Sequence, residues 1–139
     1  MNKRPCIVLA KPGLDGHDKG IRLVASSMSE AGFNVYYLGL RQTVDDIIKN
    51  AKELNADYIG LSILSGTHLD VSRKMIETIK SEGLNYKLII GGIIPKKDEE
   101  KLLSIGVTKV FPVGSKFLEI NNWIIENHWK EYSQYSDNI

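Results

Sequence analysis

Residues 11–20, KPGLDGHDKG, gather the side chains of this chain best suited to chemistry. His17 stands in the middle, flanked by Asp15 and Asp18, with Lys11 at the start. An imidazole binds a metal through one ring nitrogen, and the other needs an acceptor that fixes tautomer and ring angle. Asp15 can be that acceptor if the loop turns back, which Gly13 and Gly16 allow. Lys11 can in turn hold the carboxylate. The same residues also suit a solvated polar loop that happens to contain a histidine, because D-x-H-x-x-G is short and degenerate.

The elements around this loop decide where it lies. The apolar run 6–10 reads as a first strand, and Ile21, Val24, Ala25 and Met28 have the spacing of a helix face closed by Gly32. The same alternation continues. Strands are predicted over 33–38, 58–64, 86–90 and 107–111. Between them, Thr43 is a good N-cap for a helix burying Val44, Ile47, Ile48 and Ala51. Leu69, Ser72, Met75, Ile76 and Ile79 form the next face, closed by Gly83. Pro95 suits the first turn of a short helix ending near Leu103. A last helix is predicted over 115–132 with Leu118, Ile125, Trp129 and Tyr132 on one side. The pattern predicts one domain over 1–132 and a frayed tail over 133–139.

Five strands, each followed by a helix, imply an α/β fold, a single doubly wound five-stranded parallel sheet. The short apolar strands look buried on both faces. The flavodoxin-like order 2-1-3-4-5 is expected, with a ligand beyond the carboxyl ends of strands 1 and 3. The histidine loop lies at that edge. So do Ser62 to Thr67, the Gly91-Gly92 pair and residues 112–115, PVGS.

Composition narrows the function. The 139 residues suit one soluble domain, at 42% apolar and 25% charged. A net charge of +1, with no Lys/Arg cluster, gives no push toward nucleic acid. No apolar run approaches a membrane span, and the N-terminus lacks a signal-peptide core. Cys6, the one cysteine, cannot form an internal disulfide, which fits a reducing cytoplasm. The first turn lacks G-x-G-x-x-G, and no phosphate-cradling G-x-x-x-x-G-K-[ST] occurs. A phosphorylated receiver domain would want an aspartate where Ser62 stands. His68 and His128 fall in other helices and Cys6 inside a strand, so no zinc cluster is apparent. Trp123 and Trp129 read as core or subunit contact.

Taken together, D-x-H-x-x-G at 15–20, Ser62-x-Leu64 and Gly91-Gly92 resemble the fingerprint of cobalamin-binding domains. The longer strings KPGLDGHD (11–18), GLRQT (39–43), GLSILSGTH (60–68) and GGIIP (91–95) resemble methylmalonyl-CoA mutase and related acyl-CoA mutases. The resemblance covers about residues 4–118. It implies the small, cobalamin-binding subunit of an adenosylcobalamin-dependent mutase, an isomerase performing a radical 1,2-carbon-skeleton rearrangement such as methylmalonyl-CoA to succinyl-CoA. A separate large subunit would hold the acyl-CoA in a barrel, so no catalytic residue is expected on this chain alone.

By the same resemblance His17 would be the lower axial ligand of cobalt, displacing the cofactor's own dimethylbenzimidazole. Asp15 would accept from the other ring nitrogen, and Lys11 would pair with Asp15. Gly20 would let the first helix start beside the buried nucleotide tail. Ser62 would hydrogen-bond the benzimidazole, with Leu64 lining its slot and Gly91 and Gly92 packing on the tail. Gly16, Asp18, Ile63, Gly66 and Gly114 complete the expected cofactor contacts. Two departures stand out: Ile63 where a serine is frequent, and PVGS (112–115) in place of a Gly-Pro-Gly-Thr-like turn. Two other classes share the fold. A corrinoid carrier for methyl transfer is expected to have a helical cap before its first strand, where about five residues stand here. A flavodoxin-like binding module would take no cobalamin.

Overall fold

Apolar runs and amphipathic stretches alternate along the chain, and they fold as alternating strands and helices. The computed structural model describes residues 4–14, 16–63 and 66–136, with side chains as far as His128. Strands β1 (Cys6–Ala10), β2 (Asn34–Tyr37), β3 (Tyr58–Ile63), β4 (Lys87–Gly92) and β5 (Lys109–Pro112) form one sheet in the order β2-β1-β3-β4-β5. Each pairing in it is parallel. The helices are α1 (Lys19–Glu30), α2 (Val44–Leu54), α3 (His68–Ser81), α4 (Lys96–Ile105) and α5 (Phe117–Ser136). The expected fold class and strand order are therefore observed.

Side chains alternate across a strand, so each central strand feeds two cores. Ile7 and Leu9 of β1 pack with Tyr58, Ile89, Phe111 and the buried faces of α1 and α5. Val8 and Ala10 face the other way, among Ile59, Leu61, Ile90 and the inner faces of α2, α3 and α4. Burying each large aliphatic side chain contributes about 1.5–3 kcal/mol, which makes these two layers the main source of stability. The face predicted for α2 is buried in full: Val44, Ile47, Ile48 and Ala51. Its cap is Thr43, whose hydroxyl accepts from the Asp46 amide at 3.1 Å.

The last strand and helix are shifted from their expected bounds, to Lys109–Pro112 and Phe117–Ser136, so that 133–136, expected to be frayed, are helical; two further differences bear on the site. The strand predicted over 86–90 runs on to Gly92, because the glycines keep pairing: Gly91 lies opposite Ser62 and Gly92 opposite Ile63. The other is the buried face of α5, formed by Ile120, Asn121 and Ile124, while Leu118 is 69% exposed and Ile125 half-buried. The cause is Asn121, whose amide donates to the Ser27 hydroxyl at 2.9 Å and turns a polar position inward against α1. The side chains of Trp129 and Tyr132 lie outside the described residues.

Candidate functional site

All five strands end at one edge, and the candidate residues converge there from four of the loops. The loop after β1 begins with a buried lysine, only 2% exposed. Its backbone is pinned to the loop after β2, by Lys11 N–H to the Gly39 carbonyl at 3.2 Å and Gln42 N–H to the Lys11 carbonyl at 3.0 Å. Its ammonium donates to the Ser62 hydroxyl at 3.1 Å and the Ser62 carbonyl at 3.3 Å. A buried charge is tolerated only when hydrogen-bonded, so these bonds tie the end of β1 to the end of β3. A hydroxyl has one proton and two acceptor lone pairs. With a lone pair taken by Lys11, Ser62 can still donate its proton to a ligand.

Further along the loop, Gly16 and His17 are exposed. Asp15 lies outside the described residues, and so do its expected contacts with Lys11 and His17. Asp18 stands at the N-cap position of α1 without capping it through its side chain, and one of its oxygens accepts from Arg22 Nε at 2.9 Å and from the Tyr37 hydroxyl at 3.0 Å. The Arg22 hydrogen bond, ahead of the one from Tyr37, holds this carboxyl below the ordinary carboxylate range. Burial, and the bond to Asp18, push the Tyr37 phenol up to about 12. Asp18 is thus an anchor between the histidine loop and the end of β2.

Beside this loop a cavity of about 250 Å³ opens on the α1–α5 face of the sheet. Five of the predicted residues line it: Gly20, Ser62, Gly91, Gly92 and Gly114. Its remaining walls are mostly apolar, including Leu9, Ile21, Ile89, Phe111, Val113 and Phe117. Gly92 has φ +120, and a Cβ there would lie 2.2 Å from the Ile63 carbonyl oxygen, so only glycine lets β3 and β4 close this tightly. A Cβ at Gly20 would meet nothing within 4 Å, so glycine there keeps room beside the first turn of α1.

The cavity does not gather every candidate. The Ile63 side chain is 2% exposed and packs in the core on the α2–α4 face, opposite the cavity. Gly66 is exposed ahead of α3. Leu64 lies outside the described residues. Sequence reasoning missed the Lys11–Ser62 bond, which needs the adjacency of β1 and β3, and the walls contributed by Phe111 and Phe117. It also missed a buried hydrogen-bonded pair, His68 Nε2 to Asp98 Oδ2 at 2.8 Å.

A slot of this volume and lining suits a flat heterocycle. It exceeds the ~150 Å³ apolar cavity known to admit benzene, and Ser62 places one polar group on its wall. Among the described residues, no group of three or more His, Cys, Asp or Glu stands together to hold a metal ion. Also among the described residues, no helix is long and apolar enough to cross a membrane.

A parallel five-stranded sheet with a glycine-lined slot and an exposed histidine at its carboxyl edge defines a flavodoxin-like ligand-binding domain. Over residues 5–120 the chain matches the family described as the B12 binding domain. The chain belongs to that family. It is 39% identical over 115 residues to the pivalyl-CoA mutase small subunit of Xanthobacter autotrophicus, covering 82% of this chain and 77% of that one. It is 41% identical over 112 residues to the ethylmalonyl-CoA mutase of Methylorubrum extorquens, covering 80% of this chain but only 16% of that much longer protein. Among solved structures it is similar to a cobalamin-binding protein from Desulfitobacterium hafniense DCB-2, with 33% identity and a TM-score of 0.68 over 78% of this chain and 53% of that one.

Proposed function

We propose that this chain is the cobalamin-binding subunit of an adenosylcobalamin-dependent acyl-CoA mutase and works with a separate large subunit whose barrel holds the acyl-CoA. The observation that carries this reading is the apolar, glycine-lined slot that begins three residues after His17 and includes Ser62, Gly91 and Gly92. The likeness to a mutase small subunit over most of both chains supports the choice of a mutase over a methyl carrier.

In this reading His17 would hold the cobalt, and the slot would take the benzimidazole end of the nucleotide tail. Ser62, steadied by Lys11, would donate its proton to the benzimidazole end of the tail. Gly20, Gly91, Gly92 and Gly114 keep the slot wide enough for the nucleotide tail. Asp18 anchors the His17 loop; Asp15, which would orient the imidazole, and Leu64, which would line the slot, lie outside the described residues. Gly16, Ile63 and Gly66 meet the cofactor through backbone. When bound, adenosylcobalamin supplies the radical chemistry of the carbon-skeleton rearrangement. The protein's own work is binding, orientation and exclusion of water.

The large apolar side chains left exposed support a covered edge. Among the described residues, Leu14, Ile93, Val113, Phe117 and Leu118 sit in the carboxyl-edge loops or the first turn of α5, at 42–91% exposure, while Leu23, Tyr36 and Leu103 are exposed elsewhere. A lone soluble domain rarely concentrates apolar surface in this way, and a large subunit closing over the corrin would bury it.

The test is an absorption spectrum of the protein with adenosylcobalamin, for wild type and His17→Ala. The wild type should bind the cofactor with its benzimidazole off cobalt and a histidine in its place. His17→Ala should lose that spectral state. The same axial state in both proteins would exclude His17 as the ligand, and no spectral change with wild type would exclude cobalamin binding by the isolated chain. Mixing with a candidate large subunit and assaying acyl-CoA isomerisation tests the partner.

A further inference from the structure

His68 and Asp98 are 5% and 6% exposed, and join the first turn of α3 to the first turn of α4. The function proposed above uses neither. Their placement relative to the slot is specific. The last rungs of the β3–β4 ladder pair Ser62 with Gly91 and Ile63 with Gly92. From those rungs one loop leads to His68 and the other to Asp98. Each loop is thus tied at its near end by strand pairing and at its far end by one buried side-chain hydrogen bond. The bond is also the only polar contact of the imidazole among the described residues, since His68 Nδ1 has no hydrogen-bond partner there. Lys101, on the outer side, lies 3.6 Å from the other Asp98 oxygen.

We propose that the His68–Asp98 pair is a clasp that stops the carboxyl ends of β3 and β4 from fraying, and so fixes the wall of the nucleotide-tail slot. The inference rests on the cobalamin reading for its ligand, but not for its mechanics. Strand ends are where ladders open first. Here Ser62, Gly91 and Gly92 belong both to those ends and to the slot wall. On this account His68 and Asp98 are positioning residues that touch no cofactor.

Breaking the pair from the His68 side leaves the buried Asp98 carboxylate without its hydrogen bond, which can prevent folding. Replacing both partners with apolar residues of similar size is often neutral or stabilising. The decisive protein is therefore His68→Leu/Asp98→Leu, with His68→Gln as the conservative variant that still donates to Asp98. Hydrogen exchange of the cofactor-free proteins reads the mechanics. The double variant should exchange faster at amides 62–63 and 91–92 while its melting temperature stays near that of wild type. Affinity for cobalamin should fall, by about tenfold if closing the frayed strand ends on binding costs about 1.4 kcal/mol. Affinity for cobinamide, the corrinoid without the nucleotide tail, should not change. His68→Gln should restore most of the cobalamin affinity.

Equal losses for cobalamin and cobinamide, unchanged affinity and exchange, or weakening that simply follows the melting temperature would each overturn the clasp. Failure of the wild type to bind either corrinoid would instead overturn the cobalamin reading, and the exchange measurement would still decide whether the pair holds the strand ends.

Discussion

A side chain at position 92 would put its Cβ 2.2 Å from a backbone oxygen, whereas one at position 20 would meet nothing within 4 Å. Two substitutions to alanine should therefore act in opposite directions. Gly92→Ala combines that clash with φ +120, and a strand backbone cannot move aside cheaply. It should cost at least about 2 kcal/mol in urea denaturation. Gly20→Ala should gain about 0.5–1 kcal/mol, because alanine favours a helix. The same methyl narrows the slot, so cobalamin titration should show weaker binding by the more stable protein. Loss of stability in both variants, or undiminished affinity in Gly20→Ala, would contradict the assigned wall. At this scale the sequence revealed what short spacing carries: the histidine loop, the serine and the paired glycines. It did not reveal that Lys11 donates to Ser62 across 51 residues, or that His68 reaches Asp98 across 30. Such pairs depend on which strands and helices become neighbours, and local spacing holds no record of that.

Elements were legible where their signals are local. Cys6–Ala10 is an unbroken apolar run and folds as β1 with every residue buried. Thr43 stands where the α2 periodicity begins, and its hydroxyl caps the helix. Thr43→Ala should lower stability by about 1 kcal/mol. None of α2 lines the slot, so cobalamin affinity should stay at the wild-type value. A fall in affinity alongside the lost stability would mean that α2 communicates with the carboxyl edge, which the packing gives no reason to expect. The inward face of α5 was misread for a physical reason. Hydropathy assigns Asn121 to solvent, but its amide meets Ser27 on α1 and brings Ile120 and Ile124 inward with it. A buried polar contact of this kind outweighs the apolar stripe from which a helix face is usually inferred.

At the scale of the whole molecule, ionisable groups from separate parts of the sheet bracket the pH range of the fold. Asp18 is held below the usual carboxylate value of 3.8 chiefly by Arg22. Asp98 is held below the same value chiefly by the hydrogen bond from His68. A carboxylate with a depressed folded-state pKa contributes stability that is complete above its unfolded value and lost as the pH falls through the folded one. Burial raises Tyr37 from 10.0 to about 12, and raises Tyr86 above 10.0 as well. For a phenol raised in this way the stabilisation is complete below the unfolded value and lost as the pH rises through the folded one. These four groups together predict that their stabilisation is complete between pH 3.8 and 10.0. The acid limb lies below that window and the alkaline limb runs toward about 12. Urea denaturation at a series of pH values tests both limbs. Asp98→Asn should flatten the acid limb and leave the alkaline one alone, while Tyr37→Phe should flatten the alkaline limb. The acid limb should change little in Tyr37→Phe, because Arg22 remains beside Asp18. An acid limb that survives unchanged in Asp98→Asn would show that the hydrogen bond from His68 does not hold Asp98 below the usual carboxylate value, and would count against a stabilising bond between α3 and α4.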